Sequence, residues 1–366
     1  MTLGSDPLIE AVDVSVLTIP TDAPESDGTL EWSETSMVLV SISAGGETGL
    51  GYSYTTPATA GIVRDTLFPQ VKGRNALDIA KLWLAMVHAT RNIGRDGPVA
   101  MAIAAVDTAL WDLKGKLLGQ PVAALLGRAR DAIPAYGSGG FTSYDDRQLR
   151  DQLEGWAAEG FSMVKIKVGR EPDRDPHRLK QARNAIGSDC RLFMDANGAQ
   201  NRKEALALAE RAREFGVEWH EEPVSSDDLE GLRLCRDRAP AGMNVTAGEY
   251  GFNIGYFRHM LEAGAVDVLQ ADATRCAGIT GFMGVAALSA AHQVPLSAHC
   301  APALHLHACL AALPAIHLEW FHDHVRIEGM LFDGAPEPEK GQLRDNGEPG
   351  LGLRLRPREA ERFRQA

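Results

Sequence analysis

Two lysines, Lys165 and Lys167, have the spacing in this sequence that points most directly to chemistry. They stand in the apolar segment 162–169, SMVKIKVG. Side chains two apart on a strand project to the same face, so we expect both amines on one side and the intervening aliphatic side chains on the other. Because two cations close together in an apolar setting repel each other, carboxylates or an anionic ligand are expected to face them. Taken alone, the segment also fits two solvated lysines at a strand edge.

Six more short apolar segments downstream end in a polar residue that could serve in a site. In chain order these residues are Asp195, Glu221, Glu249, Asp272, His299 and Glu319. Together with Lys167 they recur about every 20 to 28 residues, an interval that one strand, one helix and two loops fill. The intervening segments 202–215 and 279–292 carry apolar residues at helical spacing. The pattern therefore predicts repeated β-α units.

The alternation of strands and helices favours a parallel barrel, in which the carboxyl ends of the strands and the loops after them form the active site. In such a barrel all of the polar ends would surround one cavity. An open doubly wound sheet is the competing arrangement, but it would spread these residues along an edge. The predicted fold class is therefore α/β, a (β/α)7β TIM-like barrel.

The chain is longer than a barrel requires. It has 366 residues, whereas a barrel of this type takes roughly 250, so a second, smaller domain is expected. Residues 1–128 are predicted to form an N-terminal α+β capping domain that carries the specificity loops. Residues 129–325 form the barrel with the active site. The segment 326–366, rich in Pro, Gly and charge, is predicted to return to the capping domain.

The first third of the chain has its own pattern. Residues 8–19 and 36–43 alternate in polarity as strands do, and residues 99–118 carry a continuous apolar face that predicts a helix. The glycine-rich stretch 44–51 predicts a hairpin turn. A phosphate-binding loop is the alternative for this stretch, but no helix follows it and the glycine spacing differs.

Composition narrows the function classes. The sequence has 37 Lys and Arg residues against 49 Asp and Glu residues, a net charge of −12, which opposes non-specific nucleic-acid binding. No apolar run reaches membrane-spanning length, and residues 1–7 lack the cationic and apolar regions of a secretory signal, so a cytoplasmic location is expected. The five cysteines show no paired spacing, which is typical of reduced thiols. Of these, Cys276 and Cys300 are interpreted as packing residues near the cavity.

Three of the polar ends have the chemistry of a cation site. Asp195, Glu221 and Glu249 offer hard oxygen ligands from neighbouring strands, which suits Mg²⁺ with water and substrate in the remaining positions. Zinc is less suited because the set holds neither histidine nor thiolate. A single carboxylate here would more simply form a salt bridge, but three in equivalent positions favour a metal. Glu222 faces either away from the metal or towards its ligands, and the sequence leaves this open.

Other polar ends could move protons. An Asp on an adjacent strand can fix the tautomer of an imidazole and raise its basicity, so Asp272 makes His299 a candidate acid or base. Lys167 can act as a base only with a lowered pKa, and both Lys165 and a divalent cation are expected to lower it. Lys165 would stay charged and hold an oxyanion of the substrate.

The remaining histidines carry weaker signals. His305 and His307 lie two apart in an apolar segment, and residues two apart on a helix do not share a face, so a second metal site there is disfavoured. His322 and His324 follow the last polar-ended strand and fit either a pocket lining or a solvated loop.

The ordered set of motifs resembles the enolase superfamily, specifically the mandelate racemase subgroup that includes the acid-sugar dehydratases. The resemblance covers nearly the whole chain. It rests on Lys165-x-Lys167, Asp195-x-Asn197, Glu221-Glu222-Pro223, Gly248-Glu249, Asp272, His299, Glu319 and the stretch 104–115, AAVDTALWDLKG. Taken together these motifs are far more specific than any one of them.

The resemblance implies a first step that is general to that superfamily. One Mg²⁺ ion per active site binds the substrate carboxylate, and a base removes the proton next to it to give an enediolate. It makes Lys167 one base and His299, with Asp272, the acid or base on the opposite face. Lys165 then stabilises the enediolate, and Asn197 and Glu319 are hydrogen-bond donors or orienting groups.

Two reactions remain open after that step. We favour dehydration of a sugar acid, an aldonate or aldarate, to a 2-keto-3-deoxy acid by a hydro-lyase. A polar rim that could bind hydroxyls supports this, namely Tyr52, Tyr54, Thr55, Thr56, Arg275 and His322. Racemisation or epimerisation of a 2-hydroxy acid is the alternative, and a non-catalytic sugar-acid-binding relative is a third. Loops within residues 18–34 and 50–57 are expected to select the substrate, and the resemblance suggests a homo-oligomer.

Overall fold

A computed structural model describes residues 6–365 of the chain. The described part begins with an antiparallel sheet in the order β1-β2-β3. Its strands are β1 (Ala11–Ser26), β2 (Glu31–Ala44) and β3 (Glu47–Tyr54). The described residues exclude residues 1–5 and residue 366. Most of the N-terminal segment that lacks a secretory-signal pattern therefore lies outside them.

The loop predicted within residues 18–34 is shorter than that range, because β1 and β2 extend into it from both sides. Their register shifts between Pro20 and Glu25, and the pairing resumes with Glu25 opposite Trp32. Only residues 27–30 connect the two strands. The two strands and this short connection form a long hairpin, here called the capping hairpin, whose tip lines the same cavity as the strand ends described below.

The predicted turn over residues 44–51 is shorter than expected. Only Gly45 and Gly46 lie between β2 and β3, and both have positive φ. The segment 50–57, expected to be a loop, continues β3 as far as Tyr54. The glycine-rich composition that suggested a turn therefore has a second cause, which is the packing of a helix on β3.

Five α-helices follow the sheet. They are α1 (Thr59–Ile62), α2 (Phe68–Val71), α3 (Ile79–Ala89), α4 (Pro98–Leu118) and α5 (Val122–Leu126), with a π-helical turn at Val63–Leu67. The helix predicted over residues 99–118 is confirmed as α4. It packs so closely on β3 that a Cβ on Gly51 would meet the backbone oxygen of Ala105 at 2.2 Å. Gly51 therefore allows the helix and the sheet to approach each other.

Eight parallel strands follow and close into a barrel. They are β4 (Ile133–Gly139), β5 (Met163–Lys167), β6 (Arg191–Asp195), β7 (Val217–Glu221), β8 (Asn244–Ala247), β9 (Val268–Ala271), β10 (Leu296–Ala298) and β11 (Ala315–Phe321). Each strand pairs with the next, and β11 pairs with β4 to complete the ring. The closure confirms the predicted barrel and excludes the open doubly wound sheet.

A helix stands between each pair of successive barrel strands. These helices are α6 (Asp146–Ala158), α7 (Asp175–Ile186), α8 (Arg202–Ala212), α9 (Leu229–Arg238), α10 (Ile254–Glu262), α11 (Gly278–Ala291) and α12 (Pro302–Ala311), and a 3-10 turn at Arg213–Phe215 extends α8. Both predicted barrel helices, 202–215 and 279–292, are confirmed. Among the helices of residues 6–365, none is long and apolar enough to cross a bilayer.

The register of β5, β6 and β7 places three site candidates side by side. Lys167 pairs with Asp195, and Asp195 pairs with Glu221. Alternation along β5 turns both lysines towards the barrel interior, while Ile166 joins the hydrophobic core formed with the surrounding helices. The two faces predicted for Lys165 and Lys167 and for the aliphatic residues between them are therefore observed.

The C-terminal segment runs along both parts of the chain. It consists of α13 (His322–Leu331), β12 (Phe332–Asp333), β13 (Gln342–Leu343), β14 (Arg354–Leu355) and α14 (Pro357–Glu361). Strand β13 pairs with β4 of the barrel, and the backbone N–H of Thr18 in β1 donates to the Phe363 carbonyl. The expected boundary at residue 325 falls inside α13, and the division into three domains stays a prediction.

Candidate active site

The three predicted metal ligands lie together at the carboxyl end of the barrel. Asp195 ends β6, Glu221 ends β7 and Glu249 follows β8. One carboxylate oxygen of each lies within 4.8 Å of the others, and all three residues are buried. Gly248 makes the position of Glu249 possible, because its φ is +135° and a Cβ there would meet the Gln270 backbone oxygen at 2.0 Å. We call these three residues the carboxylate trio.

Lys165 is a buried cation beside the carboxylate trio. Its Nζ donates to Glu221 Oε1 at 2.5 Å and lies 2.8 Å from Glu319 Oε1 and 3.4 Å from Asp195 Oδ2. Burial alone would lower the pKa of Lys165, but Glu221 and Glu319 raise it well above its usual range. These contacts therefore favour the positively charged form of Lys165.

Lys167 contacts the same trio from the cavity. Its Nζ donates to Asp195 Oδ2 at 2.5 Å. Burial lowers the pKa of Lys167 and repulsion from Lys165 lowers it further, but Asp195, Glu221 and Glu319 together raise it, so the pKa lies above its ordinary value. Lys165 lowers this pKa as predicted but is outweighed by the carboxylates, and the lowering expected from a divalent cation stays a prediction. A cation that takes up the charge of Asp195 would be needed to lower it.

The charges of the carboxylate trio fit a divalent cation. Burial and the neighbouring Asp195 raise the pKa of Glu221, whereas Lys167 holds the pKa of Asp195 low although burial alone would raise it. The Oε2 atom of Glu249 is buried and accepts no hydrogen bond within the described residues, although His299 Nε2 lies 3.3 Å away. Buried carboxylate oxygens that lack donors are the ligands that hard cations take, so these residues fit magnesium.

Glu222, whose direction the sequence left open, is buried but is not one of the three grouped ligands. Its backbone is left-handed, with φ 38°. Burial and the adjacent Glu249 raise the pKa of its carboxyl well above the usual range, which favours the protonated form at neutral pH. Its Oε1 finds no partner in residues 6–365.

His299 contacts the carboxylate trio at the opposite end from Lys167. Its Nδ1 lies 2.9 Å from Asp272 Oδ2, and because a carboxylate only accepts, Nδ1 carries a proton and Nε2 faces Glu249. Burial would lower the pKa of His299, but Glu249, Glu319 and the hydrogen bond to Asp272 raise it. Arg275 joins the two sides, with Nη1 3.2 Å from Glu249 Oε1 and Nε 3.7 Å from Asp272 Oδ2.

Glu319 and Asn197 differ in what they can do. Glu319 Oε1 accepts from Ser138 Oγ at 2.6 Å, and its Oε2 accepts from the Cys300 backbone N–H at 2.9 Å. Burial would raise the pKa of Glu319, but Lys165 lowers it well below its usual range, so this side chain is an acceptor that orients its neighbours. The Asn197 Oδ1 atom is buried without a partner in the described chain, and the residue lines the cavity.

Part of this set of residues lines one cavity of ≈ 430 Å³, whereas Lys165, Asp195, Glu221 and Glu319 lie behind its surface. Its barrel lining includes Lys167, Asn197, Glu249, Asp272, Arg275, His299, Cys300, Phe321 and His324, and its capping lining includes Asp27, Leu30, Trp32, Thr35, Tyr54, Thr55 and Thr56. The capping hairpin thus forms one wall of the site.

Two residues of the predicted rim do not line this cavity. The Tyr52 hydroxyl donates to Glu328 Oε1 at 2.6 Å in the interior. His322 Nε2 lies 2.9 Å from Asp22 Oδ2, and His324 reaches the cavity in its place. Tyr52 does not line the cavity because it is buried against Glu328 in the interior. His322 and His324 are two apart in α13, so they do not share a face of that helix.

Sequence reasoning missed several residues of the site, among them Ser138 and Trp32. Ser138 stands opposite Lys165 on the adjacent strand β4, which the sequence pattern did not mark because it ends in Gly139 and not in a charged residue. Trp32 lies on the capping hairpin, far away in the sequence. Cys300, interpreted from the sequence as a packing residue near the cavity, lines that cavity.

The contacts of His305, His307 and the cysteines fit structural roles outside the site chemistry. His305 Nε2 accepts from the Ala273 backbone N–H, and His307 Nδ1 accepts from the Ala123 backbone N–H, so the two rings face different partners. They share no metal-ligand group within the described residues. The five cysteines are buried and unpaired with one another.

Comparisons with known proteins agree with this geometry. The family model described as Enolase C-terminal domain-like matches residues 148–360. The model of the mandelate racemase / muconate lactonizing enzyme N-terminal domain matches residues 11–127. The two matches fall on the barrel and on the capping part respectively.

Individual relatives extend over nearly the whole chain. The L-talarate/galactarate dehydratase of Salmonella typhimurium is 31% identical over 360 residues, which cover 95% of this chain and 89% of the relative. A solved mandelate racemase/muconate lactonizing enzyme-like protein from Rubrobacter xylanophilus is 51% identical, with a TM-score of 0.96 over 98% of this chain and 100% of that chain. A racemase from Streptomyces coelicolor A3(2), solved with bound magnesium, is 29% identical, with a TM-score of 0.92 over 98% of this chain and 100% of that chain. The magnesium prediction agrees with that structure. On this evidence the chain belongs to the mandelate racemase / muconate lactonizing enzyme family of the enolase superfamily.

Proposed function

We propose that this enzyme removes the proton next to the carboxylate of a sugar acid, with magnesium as cofactor, and then eliminates water to give a 2-keto-3-deoxy acid. One observation carries the proposal. Lys167 and His299 are two groups able to move a proton, and both line one cavity. Each also contacts the carboxylate trio, Lys167 at Asp195 and His299 at Glu249. The similarity to a sugar-acid dehydratase supports the choice of reaction.

Asp195, Glu221 and Glu249 would hold the magnesium ion. When bound, the ion polarises the substrate carboxylate and so makes the neighbouring C–H bond more acidic. The buried Oε2 of Glu249 supports this assignment, because it lacks a donor within residues 6–365. The magnesium in the Streptomyces relative supports it as well.

The first step breaks the C–H bond next to the carboxylate. Lys167 Nζ takes the proton, and the electron pair of the bond moves into the carboxylate to give an enediolate. Lys165 stabilises the oxygen on which negative charge develops. Its contacts with Glu221 and Glu319 fix the ammonium group before the substrate arrives, so little reorganisation is needed during the reaction.

His299 completes the reaction on the opposite face. Asp272 fixes the proton on Nδ1, so Nε2 is the nitrogen that exchanges a proton with the substrate. Protonated Nε2 gives its proton to the hydroxyl on the next carbon, that C–O bond breaks, and water leaves. The electrons of the enediolate form the C=C bond of an enol acid, which tautomerises to the keto acid. The cavity suits a polyhydroxy acid, because Thr35, Thr55 and Thr56 line it.

Epimerisation or racemisation of a 2-hydroxy acid is the second candidate. If His299 returns its proton to carbon instead of to oxygen, the configuration inverts and no water is lost. The similarity to the Streptomyces racemase supports this candidate. A non-catalytic sugar-acid-binding protein is less consistent with the site, because binding alone gains nothing from two buried proton-transfer groups.

The test is incubation of the magnesium-loaded enzyme with a panel of aldonates and aldarates, followed by NMR. We expect a 2-keto-3-deoxy acid from at least one panel member, and no product after treatment with EDTA. Inversion at C2 without loss of water would favour the second candidate. Unchanged spectra across the panel, with folded and magnesium-bound protein, would contradict both catalytic candidates.

A homo-oligomer is also proposed. An apolar cavity between α3, α10 and α11 supports it, since Trp83 and Ile254 line this cavity and Ile254 is 55% exposed. Light scattering tests this point, and the mass of a single chain would contradict it.

A further inference from the structure

We propose that His305 is a positioning residue for proton transfer by His299. The inference rests on the proposed function, because His305 can influence the reaction only if His299 exchanges a proton with the substrate. His305 lies in α12 and is completely buried. It reaches neither the cavity nor the carboxylate trio. Its contacts instead join the loop that carries Asp272 to the loop that carries His299.

The hydrogen bonds of His305 fix a single tautomer. Its Nδ1 lies 2.9 Å from the Cys300 carbonyl oxygen and 3.0 Å from the Ala301 carbonyl oxygen. Carbonyl oxygens only accept, so Nδ1 carries the hydrogen. Its Nε2 accepts from the Ala273 backbone N–H at 2.7 Å and therefore carries none. Burial lowers the pKa of His305, which agrees with a neutral ring.

These contacts connect the two halves of a proton-transfer pair. Ala273 directly follows Asp272 beyond β9, and Cys300 directly follows His299 beyond β10. The hydrogen bond between Asp272 and His299 is 2.9 Å long, and it spans the gap between these two loops. By bonding to the residue after each partner, His305 fixes the separation of the loops and so the length of that bond.

The loop after His299 needs such support. Cys300 and Ala301 both have left-handed backbones, with φ 53° and φ 39°, a conformation that residues other than glycine rarely adopt. Glu319 accepts from the Cys300 N–H, and His324 Nδ1 accepts from the Ala301 N–H at 3.2 Å. His305 supplies the donor for the carbonyls of the same two residues.

His307 provides a matched control for a histidine that only fills the core. It lies two residues further along the same helix and is also buried. Its Nδ1 accepts from the Ala123 N–H at 3.3 Å, and its Nε2 lies 3.1 Å from the Leu351 carbonyl oxygen. Both partners lie away from the cavity. Substitution by phenylalanine removes three buried hydrogen-bond contacts of His305 and two of His307, but only His305 bonds next to the proton-transfer pair.

The first experiment measures deuterium incorporation at C2 in D₂O with magnesium. The substrates are the two C2 epimers of the acid that the NMR panel identifies. We expect His305→Phe to slow exchange on the His299 face by about 10- to 100-fold, the effect of a displacement of about 1 Å, while exchange on the Lys167 face stays within about twofold of wild type. His307→Phe should keep the wild-type ratio of the two faces, even if it melts at a lower temperature. Equal losses on both faces in His305→Phe, or no loss on either, would overturn the inference.

A second readout does not depend on turnover. The Nδ1–H proton of His299 is assigned by its disappearance in His299→Asn. Its rate of exchange with water should rise in His305→Phe and should stay at the wild-type value in His307→Phe. If His305→Phe does not fold, His305→Gln retains the acceptor for Ala273 and should show a smaller loss on the same face only. An unchanged Nδ1–H signal in either His305 variant would overturn the inference.

The failure of the proposed function is distinguishable from the failure of this inference. If His299→Asn still exchanges on its own face at the wild-type rate, the role given to His299 is wrong. If His299→Asn loses that exchange and the His305 variants keep it, only the positioning role is wrong.

Discussion

Replacement of Lys165 by methionine tests the charge balance of the site. The substitution keeps the length of the side chain and removes its charge. Lys165 Nζ lies within 2.5 Å of Glu221, 2.8 Å of Glu319 and 3.4 Å of Asp195, and none of these side chains is more than 1% exposed. Removal of one member of a buried ion pair costs about 3–5 kcal/mol, because the partner charge stays buried. We expect a loss of stability in this range for Lys165→Met in EDTA.

Magnesium should reverse part of this loss. A ligand at 100 times its Kd stabilises the folded state by about 2.7 kcal/mol, and each tenfold gain in affinity at fixed concentration adds about 1.4 kcal/mol. The ammonium group repels a cation in the carboxylate trio, so its removal should tighten magnesium binding. The free-energy difference between wild type and Lys165→Met should therefore be smaller in magnesium than in EDTA, although the variant loses activity.

Urea unfolding in EDTA and in excess magnesium measures both quantities. With a slope of about 3 kcal/mol per molar urea, the expected loss in EDTA moves the midpoint by roughly 1–2 M. Lys116→Met is the matched control, because Lys116 pairs with the buried Asp112 at 2.7 Å in the capping part. Its effect should be the same with and without magnesium. A Lys165→Met effect that magnesium leaves unchanged would refute the reasoning.

Two further predictions concern the capping hairpin and the backbone of the site. Burial raises the pKa of Glu25 to about 8 from an ordinary value of 4.5. Between these pH values the folded state therefore binds more protons than the unfolded state, so wild type loses stability as the pH rises through this range. Glu25→Gln, which can still accept from Trp32, should therefore melt higher than wild type at pH 8.5 and gain nothing at pH 5. A difference in melting temperature that is equal at both pH values would contradict this. Gly248→Ala should lose the magnesium-induced rise in melting temperature, because its Cβ would meet the Gln270 backbone oxygen at 2.0 Å and displace Glu249. A rise equal to that of wild type would show that the backbone adjusts without moving this ligand.

The barrel and the polar ends of its strands could be predicted from the sequence, because both follow from local periodicity. The alternation of side chains along a strand determines which residues share a face. The even spacing of the polar strand ends places them together at the carboxyl end of the barrel. Asp195, Glu221 and Glu249 were found in this way. Compared with that prediction, the structure adds the pairing of β11 with β4, which closes the ring.

The capping hairpin could not be placed in this way. Residues 18–34 have no clear alternation, and their pairing depends on a register shift between Pro20 and Glu25. Trp32 reaches the cavity only through contacts distant in the sequence. The sequence analysis predicted the sign of the effect of Lys165 on the pKa of Lys167, but only the distances show that Asp195 contributes more than Lys165.

The backbone partners of His305 and His307 could not be predicted from the sequence either. Their spacing disfavoured a shared metal site, and no metal-ligand group found among the described residues contains either of them. The same spacing says nothing about backbone partners, and the bonds of His305 to Ala273 and Cys300 depend on how α12 sits above the strand ends.

The most direct test of the account is C2-proton exchange in D₂O by Lys167→Ala. With magnesium, wild type should incorporate deuterium into both C2 epimers of its substrate, and EDTA should stop both reactions. Lys167→Ala should lose exchange from one epimer and keep exchange from the other, because His299 still serves its own face. Exchange from both epimers at wild-type rates in Lys167→Ala, or exchange that persists in EDTA, would contradict the account.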